Sequence, residues 1–111
     1  MRWADFVITA VRYDPDRSHI TELLVRTDNG DTLGAGTEWT RADVVLAIRR
    51  GQTFVTAFST GSSFARGADV RVEMVGNEQF LRTDRNQRRA DNLGELPELA
   101  QRAFGASLGR W

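Results

Sequence analysis

Cysteine and lysine are absent, and histidine and tyrosine occur once each, as His19 and Tyr13. Without Cys there is no thiol nucleophile, no thiolate metal site and no disulfide. Without Lys there is neither Schiff-base chemistry nor a phosphate-binding loop lysine. One His rules out a zinc site built on two. No apolar run approaches the length that crosses a bilayer, and Asp5 and Arg12 bracket the only apolar stretch near the N-terminus. The expectation is a cytoplasmic protein with no membrane contact and no cofactor or metal.

What is present is ordinary for one folded domain: 111 residues, 41% hydrophobic and 27% charged. Fifteen basic residues, all Arg, balance fifteen acidic ones, so no net charge steers the chain toward a polyanion. GC-rich coding explains the arginine bias without function; guanidinium contacts are the functional alternative.

Phe6 to Tyr13 is rich in β-branched and aromatic residues and apolar on both faces, which suits a central strand. Asp14 to Ser18 has turn chemistry, a second strand follows from Ile20 to Asp28, and Asn29-Gly30 suits a hairpin turn. The return, Asp31 to Ala35, reads as a brief edge strand. Thr40 is placed to cap a helix starting at Arg41, with Asp43 completing a capping box and Trp39 and Val44 at staple spacing. Val44, Val45, Ala47 and Ile48 make its apolar stripe, Arg49 and Arg50 suit its last turn, and Gly51 suits its left-handed cap. Thr53 to Phe58 is a strand, and Ser59 to Gly67 reads as a loop. Asp69 to Val75 alternates, with Val70, Val72 and Met74 inward. Gly76-Asn77 turns the chain into a last strand, Glu78 to Asp84, with Phe80 and Leu81 apolar. Thr83 to Leu93 has no period. Leu96-Pro97-Glu98-Leu99 reads as the opening of a short helix, with Leu99, Phe104, Leu108 and Trp111 along one side.

The expected fold is therefore α+β: a small curled antiparallel sheet, or an SH3-like barrel, of about five strands with one helix between the second and third. Residues 1–98 form the expected domain and 99–111 a C-terminal extension.

Several motifs in order resemble a known family. They are Ile8-x-x-Val11, Asp16-Arg17-x-x-Ile20, Trp39-Thr40-Arg41-Ala42-Asp43-Val44, Ile48-x-x-Gly51-x-x-Phe54 and Val70-x-Val72. Phe80-Leu81-Arg82-Thr83 and Asp91-Asn92-Leu93-x-x-Leu96-Pro97 complete the set, from about Asp5 to Glu98. The family is the bacterial domain of unknown function numbered three-eight-nine-two. The resemblance implies a small stand-alone bacterial protein and transfers no catalytic residue. The stretch after Glu98 lies outside the pattern.

Arg82, Arg85, Arg88 and Arg89 fall close together with only Asp84 and Asp91 to oppose them, an arrangement that can clamp phosphates. The plain alternative is a solvated segment whose arginines pair with neighbouring acids, and the neutral chain favours it. The pattern Asp84-x-Asn86 with Asp91-Asn92 lacks the remaining ligands of a cation loop and suits turn capping. Asp14, Asp16, Asp28 and Asp31 sit where turns need Asp, and no nucleophile motif surrounds Ser59, Ser62 or Ser63. Trp3, Phe104 and Trp111, near the ends of the chain, are candidate partner contacts. The leading expectation is a non-catalytic module that binds a protein partner or itself. The alternatives are a nucleic-acid accessory protein using the Arg82–Arg89 segment, and an enzyme recognisable by a pocket holding His19 beside a carboxylate.

Overall fold

The computed structural model describes residues 2–15, 19–61, 63–83, 93 and 96–99. At its centre is the apolar octet read as a central strand. It forms β1 (Phe6–Tyr13), with every residue after Phe6 buried. β2 (Ile20–Thr27) pairs with it antiparallel, and a register shift between Ile8 and Ala10 marks a bulge.

The expected edge strand at Asp31 to Ala35 does not form. Asp28 and Leu33 make only an isolated bridge, and the chain turns through Asn29–Thr32, whose amide-to-carbonyl hydrogen bond is 3.0 Å. Pairing resumes at β3 (Thr37–Thr40), after Gly34 and Gly36 and where Trp39 has an apolar surface to join. Gly34 and Gly36 lack the side-chain packing that stabilises a strand. β3 adds a strand beyond the count expected, and the helix follows it.

Helix α1 (Arg41–Arg49) begins and ends as its sequence dictates. Thr40 Oγ1 accepts from the Asp43 amide and Asp43 Oδ2 accepts from the Thr40 amide, both at 3.2 Å. At the other end Gly51 adopts φ 94°, and the amides of Gly51 and Gln52 donate to the carbonyls of Ile48 and Ala47. This is a Schellman closure.

The helix then makes possible what the all-antiparallel expectation missed. It carries the chain back from β3, so β4 (Phe54–Ser59) enters parallel to β1, pairing through Phe6, Val7 and Ile8. A parallel neighbour requires such a crossover. The result is a mixed, open sheet of six strands in the order β3-β2-β1-β4-β5-β6, not a barrel.

β5 (Phe64–Val75) is longer than the alternation beginning at Asp69 suggested. The expected loop contracts to a turn at Thr60–Ser63, closed by a 2.8 Å backbone hydrogen bond. Gly67 lies inside the strand at a position where a Cβ would overlap Thr56 Oγ1. That hydroxyl accepts the Ala68 amide at 3.0 Å, beside the register shift between Val55 and Ala57. Along β5, Val70 is buried and Val72 packs on the core, but Met74 is 52% exposed and does not face inward as expected. It lies near the hairpin tip, beyond the apolar cover. β6 (Glu78–Arg82) ends two residues earlier than expected, with Phe80, Leu81 and Arg82 fully buried.

Residues 96–99 are not the opening of a helix. Pro97 accepts from the Val11 amide at 3.0 Å, the Leu99 amide donates to Val11 O at 2.6 Å, and Glu98 bridges Val11 in parallel. Pro97 disfavours helical dihedrals at Leu96, which is buried in the core with Leu93.

The two faces of the sheet differ. Phe6, Ile8, Val11, Leu23, Phe54 and the α1 stripe share the main core. Their sequence alternates, Val7, Val55 and Ala57, point the other way and join Ala4 in a second, smaller cluster. No helix among the described residues is long and apolar enough to cross a membrane.

Candidate functional site

The smaller face is completed by an N-terminal strap, residues 2–5. Two carboxylates tie it down on opposite sides. Asp28, 5% exposed, accepts the Trp3 amide at 2.6 Å, the Ala4 amide at 3.3 Å and the Gly30 amide at 2.9 Å. Burial works against ionisation of Asp28. The three amides and the nearby Arg2 charge outweigh it and hold its carboxyl below the ordinary value. On the other side, Asp5 Oδ2 accepts the Thr53 amide at 3.0 Å and the Thr53 hydroxyl at 3.2 Å. The Asp5 amide in turn donates to Thr53 Oγ1 at 2.9 Å. The Thr53 amide is the largest influence holding the Asp5 carboxyl below its ordinary value.

This strap sets the Trp3 indole half-buried against Ala4, Val7, Val55 and Ala57, with a cleft on each side. The first, about 330 Å³, lies between Trp3, the β2–β3 loop at Asp31 and Leu33, and Phe64 at the start of β5. The second, about 570 Å³, lies between Trp3, the end of α1 at Ile48, and β5 at Arg66 and Asp69. Arg66 and Asp69 neutralise each other at 2.8 Å. Arg26 supports the wall of the first cleft. It donates to Thr9 Oγ1 and to the Gly34 carbonyl, both at 3.1 Å, and lies over the Phe64 ring at 5.3 Å.

Other charged groups have structural work. Arg12 is buried on β1 and donates to Glu22 at 2.8 Å and Glu38 at 3.1 Å, fastening the first three strands in sheet order. Glu38 first, then Glu22, raises its already high pKa. His19 lies with Nε2 2.8 Å from Glu78 Oε2 and Nδ1 3.6 Å from Asp14 Oδ2, and its ring stacks on Phe80 at 5.4 Å. It joins the β1–β2 turn to β6, an edge strand of the sheet. Arg41 strengthens that closure by donating to the Gln79 carbonyl. The sheet stays open, and these side chains tie the β1–β2 turn and the start of α1 to its β6 edge. Among the described residues, no group of three or more His, Asp or Glu is arranged to hold a metal ion. A third groove, about 470 Å³, runs between β3 and α1 beside Leu46, which is 48% exposed.

Of the candidate contact residues, Trp3 is thus brought into a built surface. Arg82 is fully buried in β6, out of reach of a polyanion. Arg85, Arg88, Arg89, Phe104 and Trp111 lie outside the described residues. Sequence reasoning missed Asp28 and Asp31 as walls of a cleft, because Asp before and after Asn-Gly is explained by the turn alone. It also passed over Phe64, which sits in a Ser- and Gly-rich stretch.

Among the described residues, fold and surface define a small mixed-sheet α+β domain with one helix and no recognised catalytic motif. Residues 7–97 match the family model described as a protein of unknown function, DUF3892, and the chain belongs to that family. No curated protein and no solved structure matches it.

Proposed function

We propose that the protein is a non-catalytic interaction module that holds a projecting side chain of a partner protein in the cleft between Trp3 and Phe64. The observation that carries this reading is the anchored indole with open space on both sides. Aromatic rings held in place by the backbone supply large contact area at little entropic cost, and such rings dominate binding energy at protein interfaces. The cleft is the size of one or two side chains, and its acidic wall complements a basic partner. A second copy of this chain is the less favoured occupant.

The test is selection of peptides from a displayed random library on the full-length chain, followed by affinity measurement with variants. Trp3→Ala is expected to abolish binding of the selected peptides, while Leu46→Ala, in the groove beside α1, leaves it unchanged. Undiminished binding to Trp3→Ala would contradict the proposal.

A further inference from the structure

The first cleft has a chemical bias that the second lacks. Among its described lining residues there are two acids, Asp28 and Asp31, and no base. Asp28 is charged, almost fully buried, and hydrogen-bonded by three amides. Asp31 is exposed at the cleft mouth. The nearest arginines are already engaged: Arg2 pairs with Asp5, and Arg26 bonds Thr9 and Gly34. Trp3, Leu33 and Phe64 supply its apolar walls, Gly30, Thr32 and Ser63 complete the lining, and the two rings carry negative potential on their faces. Phe64 already receives one guanidinium, from Arg26.

We infer that this cleft is a binding site for an organic cation: an ammonium group at Asp31, carried on an apolar stem that lies between Trp3 and Phe64. Aromatic faces and a carboxylate together favour such a cation over a neutral body of the same shape. A free amine and the lysine side chain of a partner share this chemistry. The inference deepens the interaction reading and rests on the same cleft, but it makes a separate demand on charge.

The probes are phenethylammonium, its neutral counterpart phenethyl alcohol, and Nα-acetyl-lysine amide. Each is titrated into ¹⁵N-labelled full-length protein while the Trp3 indole N–H, identified by Trp3→Phe, and the Asp31 and Leu33 amides are followed. Saturable shifts at these positions are expected with a cation and not with the alcohol. Asp31→Asn should weaken the cation about fivefold, while Asp69→Asn, on the other side of Trp3, changes nothing. Asp31 is chosen because Asp28 holds the strap, and a Asp31→Asn spectrum that retains the other amide positions confirms the fold. Tighter binding of the lysine amide assigns the site to a partner's side chain; tighter binding of phenethylammonium assigns it to a small amine. Equal binding of the alcohol, or a Trp3 indole that no probe moves, overturns the inference. If selected peptides need Trp3 but neither cation binds, the cation assignment falls and the interaction reading stands. If a cation binds but no peptide does, the reverse holds.

Discussion

The two faces of the sheet are made from the same strands and differ in almost every physical respect. On one, Phe6, Ile8 and Phe54 meet Val44, Val45 and Ala47 of α1. Trp39 closes edge-on against Phe6 and Phe54, with ring centroids 4.9 and 5.9 Å away. Large side chains and a helix exclude water there. On the other face, Val7, Val55 and Ala57 are too small to recruit a helix, and their cover is a strap of four residues held by two carboxylates. Both faces keep some open space, the groove between β3 and α1 on one and the cleft at Trp3 and Phe64 on the other, but only the cleft on the thinner face is walled by a backbone-anchored indole.

The contrast can be broken by substitution. Phe54→Ala removes a ring that is 2% exposed on the helix-covered face. It should cost about 3–5 kcal/mol in urea unfolding. A loss no larger than that of an exposed site would mean the core is not where it has been placed. Gly67→Ala pushes a Cβ into Thr56 at the bulge of β5 and should cost about 1–3 kcal/mol, with Thr56→Ser unable to relieve it and Thr56→Ala relieving part. Thr40→Ala removes the cap of α1 and should lower stability by about 1 kcal/mol with an unchanged denaturant slope.

The strap of the thinner face should show itself through acid. The folded-state pKa of Asp28 is lowered, so the stability it contributes is complete above its unfolded value, near 3.8, and is lost as pH falls through the folded value. The gap in urea midpoint between the native chain and Asp28→Asn should therefore be widest near neutrality and narrow as pH falls below 4. A gap independent of pH would mean that the amides of Trp3, Ala4 and Gly30 do not depend on that charge. The smallest stability effect belongs to Asp31→Asn, expected within about 0.5 kcal/mol of the native chain.

Much of the thicker face was legible because its rules are local. Thr40, Asp43 and Gly51 define α1 within a dozen residues, and the unbroken apolarity of Phe6 to Tyr13 is enough to make β1 central. The missing pieces depend on residues distant in sequence. Gly67 looks like a loop residue until Thr56 occupies the space its side chain would need. Pro97 looks like a helix start until Val11 offers an amide and a carbonyl to the extended chain. The parallel pairing of β1 and β4 is set by where the helix returns the chain. The site is less legible still. Trp3 drew attention as an aromatic near the terminus, but its clefts are assembled from a strap, a turn and the start of β5, which no spacing rule connects. Membership in DUF3892 is the part that ordered short motifs carried directly.

The most direct test of the Trp3 surface is the amide and indole shift map of the full-length protein with a selected peptide bound. The expected result is a patch centred on the Trp3 indole, Asp31, Leu33 and Phe64, with Val44 and Val45 of α1 unmoved. A patch centred on α1 and β3, with the Trp3 indole at its free position, would place recognition on the other face and contradict the proposal.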